Sequence, residues 1–301
     1  MTILVVGGSG FVGTEVMNAL SSNGTPGVAY DLIVTDSVGT NTRWVRADIL
    51  ELHSLERLFF DYDVESIIHL VGLPAIDYCQ KNPNFSFQLN TLSVQNTLEA
   101  MRRGDVKRII FASTAAVYGR TSPDPIGEVT SPLPTSTYGH HKLMAEDAIR
   151  TYKEAYGIEY TILRLFNVYG GDYKSGKEVI SIYIRNAVRG QPLVVKGPGK
   201  FRDFVHIKDV AQLFTKAASS PTSNVVANVG AGAKITLLQV AEMVQKCLPS
   251  TKLQVESAAD DGTGYCADIG VARDQFNFTP REPKNGILDH IQRSVQAARS
   301  G

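Results

Sequence analysis

The 301-residue sequence has only three cysteines, one tryptophan and no long apolar run. Cys79, Cys247 and Cys266 are odd in number and lack metal-ligand spacing, which predicts buried thiols in a reduced cytoplasmic protein. The longest apolar stretch, Ile67 to Leu73, includes a histidine and is too short to span a bilayer. We therefore expect no disulfide framework, no metal site and no membrane span.

An excess of either charge is also missing, since 30 Lys and Arg residues balance 30 Asp and Glu residues. A neutral chain lacks the basic surplus that nucleic acids or anionic membranes attract. The apolar run Ile3–Val6 begins without a basic segment before it, so we expect no signal peptide and a cytoplasmic location.

Short apolar runs alternate with longer amphipathic segments through the first half of the chain. This alternation predicts an α/β fold, a Rossmann-type doubly wound parallel sheet with helices on both faces. The predicted strands are Ile3–Val6, Leu32–Thr35, Ser66–Val71, Arg108–Ala112 and Tyr160–Leu165, and the predicted helices are Phe11–Leu20, Leu52–Phe59, Phe85–Arg103 and Tyr138–Tyr156.

A glycine-rich turn joins the first predicted strand to the first predicted helix with the spacing G-x-x-G-x-x-G. Its first glycine permits a tight turn, the second lets a pyrophosphate approach the backbone, and the third allows close packing of helix on strand. The pattern predicts that a dinucleotide contacts Gly7, Gly10, Phe11, Val12 and Gly13.

Asp36 ends the predicted second strand, where a carboxylate can bind both ribose hydroxyls of NAD. It would repel the 2′-phosphate of NADP, and the nearest following arginine, Arg43, is seven residues away, so NAD is favoured. A turn aspartate is the alternative interpretation. Asp48 and Ile49 are predicted to contact the adenine, although a helix N-cap explains Asp48 almost as well.

Tyr138 and Lys142 are four positions apart on a predicted helix and therefore share one face. A nearby ammonium lowers the pKa of a phenol because it favours the phenolate. The pair suits the removal of a proton from an alcohol while a hydride leaves the same carbon.

After Asn167 the alternation changes, beginning with a polar loop from Gly170 to Lys177. We predict an NAD-binding domain over residues 1–167, with later segments at about 203–230 returning to it, and a smaller substrate-binding lobe over 168–301. The elements predicted there are a helix Val179–Arg189, a strand Pro192–Lys196, a helix beginning near Lys208 and a helix Ile235–Cys247.

With these motifs the sequence resembles the extended short-chain dehydrogenase/reductases, and within them the NAD-dependent epimerase/dehydratase family typified by UDP-galactose 4-epimerase. Phe111–Gly119 is similar to the family's Ser/Thr-rich strand end, which makes Thr114 a catalytic residue beside Tyr138 and Lys142. A hydroxyl that only satisfies a strand end is the alternative for Thr114.

The resemblance implies further contacts. Asn167 corresponds to an asparagine that contacts the sugar nucleotide, and Arg202 corresponds to an arginine that grips its diphosphate. Asn167 as a turn residue, and Arg202 paired with Asp203 or Asp209, are the alternatives. Asn90 matches a position that supports the active site. His69 is predicted to be structural, and His141 has no assigned role.

The family's chemistries divide at the two residues after Thr114. Dehydratases of the group place an Asp-Glu pair there and decarboxylases a glutamate, because elimination needs an acid and a base beyond the tyrosine. Here those residues are Ala115 and Ala116, which can serve as neither. The resemblance then implies an NAD-dependent nucleotide-sugar 4-epimerase acting through a transient 4-keto intermediate, with Tyr138 as base, and a homodimer formed by the helices around Phe85–Arg103 and Tyr138–Tyr156.

One departure from the family keeps two alternatives open. Relatives carry a second diphosphate-binding arginine where this chain has Ser257–Gly262. A reductase or dehydrogenase of a keto-sugar or other secondary alcohol is therefore retained as an alternative. A non-catalytic NAD-binding sensor is a further alternative, because a fold does not fix a function. The basic residues that we consider as replacements are Lys174, Lys177, Arg185 and Lys200.

Overall fold

The computed structural model describes residues 2–33, 41–119, 125–257 and 262–300, which form fourteen strands and eleven α-helices. Within these ranges, none of the helices combines the length and apolar character that crossing a membrane requires. The strands are β1 (Thr2–Val6), β2 (Gly27–Asp31), β3 (Thr42–Arg46), β4 (Val64–His69), β5 (Arg108–Thr114), β6 (Glu159–Leu165), β7 (Asn167–Tyr169), β8 (Leu193–Lys196), β9 (Phe201–Arg202), β10 (Phe204–His206), β11 (Val225–Val229), β12 (Ile235–Thr236), β13 (Leu253–Glu256) and β14 (Gly264–Tyr265).

The helices alternate with these strands along the first half of the chain. A π-helical turn, Gln88–Leu92, joins two of them, and a 3₁₀ turn, Ala115–Tyr118, follows β5. The helices are α1 (Phe11–Ser22), α2 (Leu52–Asp61), α3 (Ile76–Lys81), α4 (Pro83–Phe87), α5 (Ser93–Arg103), α6 (Thr137–Tyr156), α7 (Val179–Val188), α8 (Ile207–Ser219), α9 (Leu237–Cys247), α10 (Gly270–Phe276) and α11 (Pro283–Ser300).

Seven strands form one parallel sheet in the order β11-β6-β5-β4-β1-β2-β3. The chain moves outward from β1 to β3 on one side and then from β4 to β11 on the other. A sheet of this kind binds its ligands outside the carboxyl ends of the strands, where the order reverses. That reversal lies between β1 and β4, and the predicted Rossmann-type fold is confirmed.

Helices cover both faces of the sheet, so its central strands are buried on two sides. Met17 of α1 and Phe214 of α8 belong to the core on one face, whereas Leu98 of α5 and Ile149 of α6 belong to the core on the other. Burying one such side chain contributes roughly 1.5–3 kcal/mol. Two-sided burial explains why these strands are nearly continuous apolar runs in the sequence.

A third core lies among α7, α9, α11 and β8, with Ile184, Leu193, Val240 and Ile291 at its centre. Between this core and the main sheet, β9 pairs with both β12 and β14 in a three-stranded sheet. Helix α9 begins with a capping box. The Thr236 hydroxyl accepts a hydrogen bond from the backbone N–H of Gln239, and the Gln239 side chain accepts one from the backbone N–H of Thr236.

The predicted second strand, Leu32–Thr35, is wrong at Leu32 and Ile33, and its last two residues, Val34 and Thr35, lie outside the described residues. The strand in this position is β2, Gly27–Asp31, which pairs with both β1 and β3. Leu32 and Ile33 lie in a bend and are 54% and 66% exposed, so their apolar character does not reflect burial. The predicted helix Phe85–Arg103 is in fact α4, the π-helical turn and α5 in succession.

Candidate active site

The turn between β1 and α1 brings the helix N-terminus against the strand end with no space for side chains. Gly7 adopts φ +88°, and a Cβ on Gly13 would lie only 2.1 Å from the Gly7 carbonyl oxygen. Free N–H groups at the first turn of α1 can then receive an anion. This cradle fits the pyrophosphate of a dinucleotide. Phe11, which is 46% exposed, packs against Gly171 in the loop after β7.

A carboxylate faces this turn from the end of β2. The Asp31 carboxylate accepts a hydrogen bond from the backbone N–H of Ser9, at 2.9 Å. We predicted that the carboxylate at the end of the second strand binds the ribose. In the structure the second strand ends at Asp31, so Asp31 occupies that position. Asp36, the residue predicted for it, lies outside the described residues. The sequence signal for Asp31 was the apolar run Val28–Tyr30 directly before it.

Asp48 and Ile49 lie in the connection between β3 and α2. The Asp48 carboxylate accepts from the backbone N–H of Leu50, at 2.9 Å, and its carbonyl accepts from the Tyr30 phenol, at 2.8 Å. The N-cap of α2 is Glu51, so Asp48 is not that cap. The Ile49 side chain belongs to the core beneath the sheet.

The predicted catalytic hydroxyl and phenol meet at the carboxyl end of β5. Thr114 is the last residue of that strand, and Tyr138 is in the first turn of α6, which Ser136 caps through the N–H of Gly139. A Cβ on Gly139 would lie 2.5 Å from the Ala116 carbonyl oxygen, so glycine lets the helix approach the strand end. The Thr114 side chain lies close enough to the Tyr138 phenol to lower its pKa.

Lys142 lies one helical turn after Tyr138 and is only 2% exposed. Its ammonium Nζ is 3.9 Å from the centre of the Phe111 ring on β5, which provides a cation–π contact. Burial lowers the pKa of Lys142 to about 7, against the opposing effect of the Glu146 carboxylate. The lysine can therefore change charge near neutral pH.

The phenol of Tyr138 has a high pKa within the protein itself. Burial raises the pKa of Tyr138 to about 12, although the Thr114 side chain acts in the opposite direction. We expected the Lys142 ammonium to lower the pKa of Tyr138 below that of free tyrosine. The protein groups alone do not have this effect, because the cost of burial is larger. A positive charge on a bound group would favour the phenolate.

Three other predicted residues surround this centre. Asn90 is fully buried in the π-helical turn and fixes the loop after β4, since it accepts from the N–H of Leu73, at 2.8 Å. His141 lies 2.8 Å from the Ser86 hydroxyl, which joins α6 to α4. His69 is fully buried in β4, and burial together with Lys142 lowers its pKa to about 3.

Asn167 and Arg202 approach the same edge of the sheet. Asn167 begins β7 just beyond the end of β6, and its N–H donates to the Asp203 carbonyl, at 3.0 Å. Arg202 pairs with neither predicted carboxylate: Asp203 accepts from the backbone N–H groups of Ala231, Gly232 and Ala267, and Asp209 binds Arg281. The Arg202 guanidinium donates to the carbonyl of Phe201.

Of the four basic residues that we considered for the second diphosphate contact, Arg185 is already engaged. Its guanidinium donates to the carbonyl oxygens of Tyr173 and Gly176, at 3.0 and 2.8 Å, and so holds the loop after β7. Lys174 and Lys177 are exposed on that loop, and Lys200 is half-buried. Across the described part of the chain, no group of three or more potential ligands is arranged to hold a metal ion.

The class of protein follows from where these groups lie. A dinucleotide cradle follows β1, and a hydroxyl, a phenol and an ammonium gather at the end of β5, on the same carboxyl edge of a doubly wound sheet. This arrangement is that of an extended short-chain dehydrogenase/reductase.

Comparison with known proteins defines the family. Residues 3–230 match the model of the NAD dependent epimerase/dehydratase family, and the chain belongs to that family. The UDP-glucose 4-epimerase of Lacticaseibacillus casei is 28% identical over 324 aligned positions, which cover 99% of this chain and 96% of the relative. Membership confirms the predicted cofactor, since the family is NAD dependent.

Solved structures agree with this assignment. The UDP-glucose 4-epimerase of Thermotoga maritima, crystallised with UDP-glucose, is 25% identical with a TM-score of 0.89, covering 99% of this chain and 100% of its own. The UDP-glucose 4-epimerase of Brucella ovis, in complex with NAD, is 26% identical with a TM-score of 0.88, covering 97% and 96%.

Proposed function

We propose that this protein is an NAD-dependent nucleotide-sugar 4-epimerase. The observation that carries the proposal is the Tyr138 phenol beside the Thr114 side chain, with Lys142 one helical turn away. The similarity to UDP-glucose 4-epimerases over nearly the whole chain supports a UDP-sugar as the substrate.

The family also includes dehydratases and decarboxylases, so the residues after Thr114 decide between chemistries. Ala115 and Ala116 form the 3₁₀ turn beside Tyr138 and offer no acid or base. Elimination of water needs such a group, whereas hydride transfer with a single proton exchange does not. The two alanines therefore favour epimerisation or simple redox chemistry.

In the proposed reaction, NAD held in the glycine-rich turn of Gly7, Gly10 and Gly13 would supply a reversible hydride acceptor for carbon 4 of the sugar. Tyr138 takes the proton of the 4-hydroxyl. It returns the proton after the keto sugar has rotated to present its opposite face. Thr114 donates a hydrogen bond to the same oxygen and stabilises its developing charge. Lys142 supplies positive charge beside the phenol. Arg202 is suited to hold the diphosphate, with Asn167 beside it, while the hexose rotates.

A substrate screen tests this function directly. The purified protein is incubated with UDP-, GDP- and dTDP-sugars, and both isomer exchange and NADH absorbance are followed. We expect exchange between UDP-glucose and UDP-galactose with no net NADH. Absence of exchange with every nucleotide sugar would overturn the epimerase proposal.

A reductase or dehydrogenase is the second candidate, and the engagement of Arg185 favours it. With that guanidinium bound to the loop carbonyls, the second diphosphate contact would fall to a lysine, which lacks the bidentate fork of an arginine. Such an enzyme would consume or produce NADH in proportion to its product, which the same absorbance measurement detects.

The first mutational prediction concerns the ribose of NAD. We propose that Asp31 binds the ribose hydroxyls, because it ends β2 and faces the glycine-rich turn. Asp31→Ala should weaken NAD binding by about 10- to 100-fold, the value of a hydrogen bond to a charged group, and should reduce the preference for NAD over NADP. Titration of both cofactors by calorimetry measures this.

Asp36→Asn is the matched control because it tests the aspartate predicted from the sequence alone. It should leave NAD affinity within about twofold, a difference well below 1 kcal/mol. Loss of NAD binding in Asp36→Asn but not in Asp31→Ala would return the role to Asp36.

We further propose a homodimer formed through α4, α5 and α6. Phe85 on α4 and Met144 and Tyr156 on α6 are each more than 40% exposed, which gives these helices apolar surface that a second copy can bury. Met144→Glu should shift the protein from dimer to monomer in sedimentation velocity. A wild-type protein that sediments as a monomer would contradict this proposal.

The domain boundary near residue 167 and the cytoplasmic location stay predictions.

A further inference from the structure

A buried carboxylate that the proposed reaction does not use lies on the catalytic helix. Glu146 follows Lys142 by four residues and Tyr138 by eight, so all three share one face of α6. Its side chain is fully buried. A buried carboxylate is costly unless it is paired and hydrogen-bonded, so its partners indicate why it is present.

Glu146 is saturated with donors from three elements. The Ser113 hydroxyl on β5 donates to it at 2.5 Å. Arg164 on β6 donates through both Nε, at 3.0 Å, and Nη2, at 2.7 Å, and Arg150 on α6 donates at 2.9 Å. Ser113 is the residue immediately before Thr114. One carboxylate therefore fixes the helix of Tyr138 and Lys142 to the strand of Thr114.

The network continues toward the smaller lobe. Arg164 also donates to the Tyr118 phenol oxygen, at 2.9 Å, and Tyr118 donates to the side-chain oxygen of Asn228, at 2.7 Å. Asn228 in turn donates to the carbonyl of Ile126, at 2.9 Å, and Ile126 bridges to the segment at Ala267. Such a satisfied buried network allows few alternative arrangements of the elements that it joins.

The charge of Glu146 also acts on Lys142. The groups packed around this ammonium are His69 on β4, Gly72 in the loop after β4, the Phe111 ring on β5, and Glu146 on its own helix. His69 is neutral at the pH of catalysis, so Glu146 is the carboxylate that opposes the cost of burying the ammonium. Although burial would raise the pKa of Glu146, Arg164 holds it below its usual value, so the group is ionised.

We propose that Glu146 is a positioning residue for the reaction, acting in two ways. Its hydrogen bond to Ser113 holds Tyr138 against Thr114, and its charge keeps Lys142 protonated. This inference rests on the proposed function for its kinetic test, but its titration test does not depend on activity.

Glu146→Gln keeps the shape of the side chain and removes its charge. The alkaline limb of the kcat profile should move to lower pH by about one to two units, the usual effect of removing a nearby opposite charge. At pH 8, kcat should fall by about tenfold or more, whereas KM should change by less than about twofold. NMR titration of the lysine side chains, assigned with Lys142→Met, should show Lys142 titrating at correspondingly lower pH.

Two further variants separate the roles. Asp147→Asn makes the same charge change on an exposed neighbour that pairs with Arg150, and it should leave both the pH limb and the Lys142 titration unchanged. Ser113→Ala removes only the hydrogen bond to the strand. It should lower kcat by about fivefold, which corresponds to the net free energy of one hydrogen bond. The alkaline limb of the kcat profile should not move.

The outcomes are distinguishable. A wild-type protein that turns over no nucleotide sugar defeats the proposed function, yet the Lys142 titration still decides the electrostatic role of Glu146. An active wild type whose Glu146→Gln variant titrates like Asp147→Asn overturns the present inference. If Glu146→Gln does not fold, the Ser113→Ala variant tests the positioning role of Glu146. An unchanged kcat in Ser113→Ala would then overturn the inference.

Discussion

Replacing Tyr138 by phenylalanine should abolish turnover while leaving NAD bound. The variant keeps the ring but loses the phenol that we propose exchanges a proton with the substrate alcohol beside Thr114. Loss of a positioned acid–base group lowers kcat by about 10²–10⁴, and we expect the upper part of that range because the phenol acts in both half-reactions. Single-turnover kinetics with a nucleotide sugar, together with cofactor analysis after denaturation, measure the two effects.

Tyr62→Phe is the control for this experiment, since it removes a phenol hydroxyl at the end of α2, far along the chain from the catalytic helix. It should turn over substrate at the wild-type rate. The thermal midpoint of Tyr138→Phe should also stay close to wild type, because one hydrogen bond contributes only about 1 kcal/mol. If Tyr138→Phe retained even a tenth of the activity, the assignment of Tyr138 as the base would be wrong.

Gly13→Ala should remove NAD binding almost completely. A Cβ at this position would lie 2.1 Å from the Gly7 carbonyl oxygen and 2.8 Å from backbone atoms of Gly8, so the turn itself must move. Overpacking of this kind costs about 1–3 kcal/mol, and the displaced N–H groups would also lose the pyrophosphate. We expect NAD affinity to fall by about 100-fold, or about 2.7 kcal/mol, in a calorimetric titration.

Gly127→Ala provides the matched control, because the nearest atoms to its Cβ are at 4.0 Å, an ordinary contact distance. It should bind NAD like the wild type. The thermal midpoint separates cofactor loss from general unfolding, since a folded Gly13→Ala protein with weak NAD binding supports the local mechanism. Wild-type affinity in Gly13→Ala would show that the turn does not form the cofactor cradle.

Much of the fold was predictable because buried parallel strands leave a strong local signal. Ile3–Val6 and Tyr160–Leu165 differ from β1 and β6 by only one residue at one end. The second strand was misplaced because Leu32 and Ile33 are apolar yet exposed, and composition alone cannot separate a buried from an exposed apolar pair. The edge strand β3 was missed since exposure on an edge removes the apolar pattern.

The catalytic groups were predictable for a different reason. Tyr138 and Lys142 are local in sequence, so helical spacing alone places them together, and Thr114 ends a recognisable strand. Glu146 was not predicted, because its role depends on Ser113 and Arg164, which approach it only once three elements have packed. The high pKa of Tyr138 was likewise missed, since burial of the phenol is a property of the folded site.

The most direct test of the central claim follows the hydrogen on carbon 4. A nucleotide sugar that exchanges in the screen is prepared with deuterium at that carbon and incubated with the protein in ordinary water. If Thr114, Tyr138 and Lys142 support a hydride that leaves and returns within one active site, the 4-epimer retains the label at carbon 4. Product in which solvent hydrogen has replaced the deuterium, or NADH that accumulates without any epimer, would contradict this account.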